Sequence, residues 1–151
     1  MLQTRRIDED FCCLLLPQLK KYTGTVDESQ DSILMSCLRT AIIEVQDRRG
    51  RSVVPCEMRL DISDNCDSEI HLYGKVTEIK SVMTPDGVEV PFKHFGNLVH
   101  TGLAVFENLV IDYATGVDEG ERMRLLPVVF QYASALFDGQ VDELHKILEQ
   151  C

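Results

Sequence analysis

The stretch Ile33-Leu-Met-Ser-Cys-Leu-Arg-Thr-Ala-Ile-Ile-Glu-Val-Gln-Asp-Arg-Arg-Gly50 reads as one helix. Leu34, Leu38, Ala41, Ile42 and Val45 recur at steps of three and four, the spacing at which side chains share a helix face. Asp27 or Ser29 opens the helix, and Glu44, Gln46, Asp47 and Arg48 supply its polar side. Gly50 stops it, because glycine takes the left-handed turn after a last helical residue without a Cβ penalty. A few residues on, the period changes. Met58, Leu60 and Ile62 alternate with Glu57, Arg59 and Asp61, the pattern of a strand with one buried face. A long helix running into an alternating strand, with no linker composition between them, sets the class as α+β.

Upstream, Asp8 or Asp10 caps a first helix over residues 8–22. Phe11, Leu14, Leu15 and Leu19 form its apolar face, and Pro17 is expected to kink or divide it. Tyr22-Thr23-Gly24 ends it, and the short polar segment that follows makes it a packed pair with the helix over 28–49. Downstream, a β region spans about 56–115. Ser63 to Ser68 is a polar turn, and Ile70–Tyr73 and Val76–Met83 are strands. Pro85-Asp86-Gly87 turns the chain, so Val88, Val90 and Phe92 should complete a hairpin with Val76–Met83. Leu103–Phe106 and Leu109–Tyr113 read as a second hairpin across Glu107-Asn108. The last third is helical over about 121–138 and 140–150. Leu125, Val128, Val129, Tyr132, Ala133, Leu136 and Phe137 give the first of these a broad stripe, with Pro127 expected in its first turn. The whole, 1–151, reads as one domain.

Composition narrows function. Hydrophobic residues make up 44% and charged residues 26%, ordinary globular usage. The longest apolar run, Phe11 to Leu16, is far short of the roughly 18 residues of a membrane helix. The basic start, Arg5-Arg6, lacks the apolar stretch and cleavage site of a secretory signal, so the expectation is an intracellular protein with no membrane partner. Its cysteines, at 12, 13, 37, 56, 66 and 151, are then reduced. A net charge of −10 opposes general attraction to nucleic acid, whose affinity comes largely from phosphate neutralisation.

Motifs that carry chemistry fail on geometry. Asp61 to Glu69 places oxygen side chains at every second residue, as in a calcium loop. The sixth position needs glycine and holds Cys66, and the twelfth needs a bidentate glutamate and holds Leu72. His94 and His100 with a cysteine match no common zinc-ligand spacing; a metal module using Asp64, Asp67 and Glu69, or the His/Cys set, stands as a rival. Neither a nucleophile elbow nor a phosphate-binding loop occurs. The expectation is no cofactor, no metal and no enzyme; the rival reading is a small cytosolic ligand-binding or metal-binding domain, or an enzyme, whose site forms only in three dimensions.

Two features suit contact with partners. Arg48, Arg49 and Arg51 form the one basic cluster. They complement the dipole at a helix C-terminus or meet an acidic surface or a passing phosphate backbone. Val141, Leu144, Ile147 and Leu148 form the apolar face of a terminal helix too short to be stable alone. It packs on its own domain or enters a partner's groove. Leu144→Asp separates the two, since it abolishes docking with the fold intact only in the second case.

Three stretches carry a family resemblance: the helix ending Asp47-Arg-Arg-Gly50 with the extended segment through Pro55, the strand ending Val110-Ile-Asp-Tyr-Ala-Thr-Gly116, and the proline-led helix Leu126-Pro-Val-Val-Phe-Gln-Tyr-Ala-Ser-Ala-Leu-Phe137. With the order helix pair, small sheet, helix, the chain resembles the head–tail connector, or head-completion, proteins of tailed bacteriophages and prophages. The resemblance implies a structural protein of the virion neck, made in the bacterial cytoplasm and assembled with copies of itself as a ring. Its partners would be the portal and the tail-side completion proteins, and DNA would pass through without specific binding. It also implies that the Val141–Leu148 face meets the portal.

Overall fold

A computed structural model describes residues 2–63, 68–102 and 108–151. The elements run β1 (Leu2–Ile7), α1 (Glu9–Thr23), a 3-10 turn (Glu28–Gln30), α2 (Asp31–Arg49), β2 (Cys56–Ser63), β3 (Glu69–His71), β4 (Val76–Met83), β5 (Lys93–Phe95), β6 (Leu98–His100), β7 (Asn108–Thr115), α3 (Glu119–Phe137) and α4 (Val141–Leu148). The α+β class therefore holds, with one strand ahead of the first helix pair, the other strands after it and two helices last. Contacts group the residues into two units, one of 1–6 and 55–116, the other of 7–54 and 117–151.

In the first unit, four strands form a sheet in the order β1-β2-β7-β4, and three form another in the order β3-β6-β5. The alternation read in β2 sets its register: Met58 lies opposite Tyr113, Leu60 opposite Ile111, and Arg59 opposite Asp112. On the other side of β7, Val82 lies opposite Ile111. Leu60, Ile111 and Val82 thus form one buried row across three strands, the cross-strand packing that stabilises a sheet. Tyr113 is fully buried. Its hydroxyl accepts from the Gln3 side chain at 2.5 Å and from the Tyr73 backbone N–H at 3.2 Å, which satisfies a polar atom that burial would otherwise penalise.

The Tyr-x-x-Gly ending of β7 acquires a physical meaning here. A Cβ on Gly116 would come within 2.7 Å of the Thr77 methyl, closer than real Cβ contacts allow. Gly116→Ala should therefore destabilise the protein by about 1 kcal/mol or more, since β-branched threonine is stiff at χ1. Adding Thr77→Ser, which removes the methyl and keeps the hydroxyl that donates to the Ala114 carbonyl at 3.2 Å, should recover most of the loss, as read by denaturant midpoints of the single and double variants.

In the second unit, α2 lies against α3, α1 and α4, and α3 also meets α1 and α4. Leu34, Leu38, Ala41, Ile42 and Val45 are all fully buried, as their spacing requires. Asp8 accepts from the Phe11 N–H at 3.0 Å and so caps α1. Gly24 and Gly50 end α1 and α2 at φ values of 72° and 71°. Asp27 caps the 3-10 turn through Ser29 rather than α2 itself.

Several expectations need correction. Pro127 is not in a first turn: α3 begins at Glu119, capped by Asp118 on the Glu121 N–H, and Pro127 lies inside it. Pro17 likewise sits inside a continuous α1. Leu14 points outward at 70% exposure, and Cys12 takes its place with Leu15 and Leu19 on the buried face. Gln46, read as polar surface, is 1% exposed. After the turn at 85–87, Val88–Phe92 is no regular strand. Only Met83 and Glu89 form a bridge, with the Val90 N–H donating to Val82 at 2.9 Å; Pro91 has no N–H with which to continue the ladder. The first arm of the second expected hairpin, 103–106, lies outside the described residues, and β7 pairs instead with β2 and β4. The strands β1, β5 and β6 were not expected from the sequence.

Candidate docking surfaces

The terminal helix splits its apolar stripe. Ile147 is 5% exposed and Val141 68% exposed, while Leu144 and Leu148 are half-buried. The helix lies against α3 and α2, so Ile147 anchors it within its own unit. Gln150 adds a hydrogen bond from its amide to the Gln131 side chain at 3.1 Å. The Lys146–Glu143 ion pair and the His145–Glu149 contact are solvent-exposed and contribute little. Val141 and the outer edges of Leu144 and Leu148 are what a partner could still reach.

The arginine cluster also divides. Arg49 donates to both carboxylate oxygens of Glu121, at 3.2 Å each, and to the Cys151 carbonyl at 3.4 Å. It therefore ties the C-terminal end of α2 to the first turn of α3 and to the end of the chain. Arg48 and Arg51 are exposed. Of the three, Arg49 is committed to the fold and the other two face solvent.

A third surface escaped sequence reading. On the outer face of the four-stranded sheet, Glu57 accepts from Lys80 at 2.8 Å and also from Arg6, while Arg59 grips both oxygens of Asp112 at 2.8 and 3.0 Å. Ser81 joins at 3.4 Å. These side chains line an open cleft of about 450 Å³ together with Thr4. The alternating Glu57, Arg59 and Asp61 of β2 was its one sequence signal. Three cations share two carboxylates here, Arg6 and Lys80 meeting Glu57 and Arg59 meeting Asp112, so the face is polar without a strong net sign.

These pairs make a pH prediction. The hydrogen bond from Arg49 holds the Glu121 carboxyl below its usual range. Lys80 and Arg6 do the same for Glu57, and Arg59 for Asp112. A carboxylate lowered by folding adds stability above its unfolded pKa and loses it as pH falls through the folded value. The melting temperature should therefore be flat from neutral pH down to about pH 5 and fall below the ordinary carboxylate values of about 4. Arg49→Met should shrink that acid-side fall.

Of the histidines considered as ligands, His94 lies opposite Val99 and His100 opposite Lys93, so strand alternation sends them to opposite faces. The His100 Nδ1 accepts from the Gly102 N–H at 3.0 Å. Among the described residues no group of three or more His, Cys, Asp or Glu side chains converges to hold a metal ion; Asp64, Cys66 and Asp67 lie outside them. Among the described residues no helix is long and apolar enough to cross a membrane. The Cys12 thiol, buried in α1, is pushed up to about 11 by desolvation, which makes it a poor nucleophile.

The elements and their order match known structures along nearly the whole chain. A chain in the neck of an empty gene transfer agent (GTA) particle, computed with C6 symmetry, superposes with a TM-score of 0.69 at 16% identity, covering 91% of this chain and 84% of that one. The fold is that of a neck chain. A chain of the native GTA virion gives a TM-score of 0.67 at 17% identity, and one from the native neck computed with C12 symmetry gives 0.66 at 16%, with the same coverage. No protein-family model matches the chain, and no curated protein matches it by sequence. The likeness therefore lives in the fold, at identities too low to carry side-chain roles across.

Proposed function

We propose that this chain is a structural, non-catalytic component of the neck of a phage-like particle, joining head to tail as a ring of identical copies through which DNA passes. One observation carries the reading. The structural match covers 91% of this chain and 84% of a GTA neck chain, so the likeness takes in the helices and strands together rather than one common motif. Necks computed with six-fold and twelve-fold symmetry hold the similar chains, which supports a cyclic assembly. A cyclic ring uses two different patches of each copy. A net charge of −10 suits a conduit to which DNA does not adhere. The portal-facing element is the outer side of α4, Val141 with Leu144 and Leu148, with exposed Arg48 and Arg51 able to meet an acidic partner. Tail-side completion proteins would bind the opposite side of the ring.

The test is to mix the full chain with portal rings from its own particle and measure the mass of the complex. The reading expects many copies bound per portal. A chain that stays monomeric at high concentration and also fails to bind portal overturns it.

A further inference from the structure

We infer that the outer stripe of α1 is its own complement, and that through it one copy of this chain pairs antiparallel with a second copy about a two-fold axis. A two-fold contact uses the same patch on both copies and closes at two. The pairing is therefore separate from the ring contact proposed above and belongs to chains outside the ring.

Asp10, Cys13, Leu14, Pro17, Gln18 and Lys21 are all exposed, and their steps of three and four put them on one face of α1. Leu14, at 70% exposure, stands out from that face as a knob. Beside it lies an open cleft of about 500 Å³, whose lining includes Cys13, Leu16, Pro17, Lys21 and Val26. Val26 is 90% exposed. The same helix thus offers both an apolar side chain to insert and a hollow to receive one.

Three features select a second copy, and one register satisfies them all. The first is charge. Asp10 stands at one end of the stripe and Lys21 at the other, and neither is in an ion pair among the described residues. The charges alongside α1 are paired: Glu9 with Arg39, Lys20 with Asp31, and Arg122 with Glu119. Asp8, Asp27 and Glu28 lie outside the stripe, the first two accepting from the N–H groups that they cap. A parallel copy would set Asp10 on Asp10 and Lys21 on Lys21. An antiparallel copy sets Asp10 on Lys21 at both ends. The second feature is shape, because this register brings Leu14 of each copy onto Pro17 of the other, at the mouth of the cleft. The third is a backbone acceptor. Pro17 lies inside α1 and has no N–H to give the Cys13 carbonyl. The register sets Gln18 of the second copy opposite Cys13, with a side-chain amide that donates. A different protein would have to reproduce all three features, whereas a second copy supplies them by symmetry. One helix stripe is a small contact, so the pairing is reversible and forms at high concentration.

The test measures the mass of the full chain in solution across a range of concentrations. Wild type should pass from one copy to two as concentration rises. Leu14→Glu should weaken the pairing at least about tenfold, with the melting temperature of the dilute chain unchanged. Asp10→Lys and Lys21→Asp each set like charges opposite one another at both ends, so each alone should pair more weakly at low salt. Mixing these two variants should restore dimers, because every end then meets its opposite, and high salt should shrink the differences. The mixture decides even where a variant is less stable, since mixing changes no fold. The inference falls if wild type stays monomeric or forms only species larger than two copies. It also falls if Leu14→Glu pairs as well as wild type, or if the mixture pairs no better than its parts. Loss of portal binding by Leu14→Glu with self-association unchanged overturns it in favour of a portal contact. The ring reading stands or falls on the portal test above, whichever of these results is found.

Discussion

Gln46→Leu should cost about 3 kcal/mol of stability, although the substitution swaps one side chain for another of similar size. Gln46 is 1% exposed near the end of α2. Its Oε1 accepts from the Val53 N–H at 2.7 Å and the Val54 N–H at 3.0 Å. Val53 and Val54 are themselves fully buried and lie outside any helix or strand, so no ladder satisfies these donors. Leucine fills the space but accepts nothing. Two buried N–H groups stranded at roughly 1–3 kcal/mol each set the size of the loss. For a chain of this length that is a fall of about 10 °C in melting temperature. A change below about 0.5 kcal/mol, the usual range of surface substitutions, would show that the donors find other acceptors.

The second large effect is expected at Ile147→Asp, and its contrast with Leu144→Asp divides fold from function. Ile147 is 5% exposed within α4. Forcing a carboxylate into that site costs several kcal/mol unless the helix lets go. With eight residues, α4 cannot stay helical once undocked. The variant should lose about 3 kcal/mol of stability together with part of its helical circular dichroism. Leu144 is only half-buried, so Leu144→Asp should keep most of the stability and, on the proposed reading, lose portal binding. Equal destabilisation by both variants would mean that Leu144 is core and that α4 offers its partner little beyond Val141.

What the sequence disclosed and what it hid follow from the range of the forces involved. The apolar steps of α2 and the alternation of β2 are local periodicities, and both elements stand where they were expected. Gly50 and Gly24 were legible because a left-handed turn favours glycine whatever surrounds it. Gln46 was not legible: its burial is dictated by the backbone of residues 53 and 54, not by its own helix. The start of α3 was misplaced because Pro127 was taken for a first-turn residue, although Asp118 with Glu121 three residues on is a capping signal. The strand β1 has no apolar alternation. It is recognisable only through distant partners, with Gln3 on the Tyr113 hydroxyl and Arg5 over the Tyr73 ring at 5.1 Å. The ionic face of the sheet depends on which strands are neighbours, which no local pattern states. The terminal helix was read correctly as amphipathic, but only packing could separate Ile147, turned inward, from Val141, turned out.

The most direct test is to locate the chain in assembled particles. Quantitative mass spectrometry of purified tailed particles, with antibody labelling seen by electron microscopy, gives copy number and position together. A neck ring gives a fixed, ring-sized number of copies per particle, with label confined to the junction of head and tail. Absence of the chain from purified particles, or label spread over the capsid or along the tail, would contradict it.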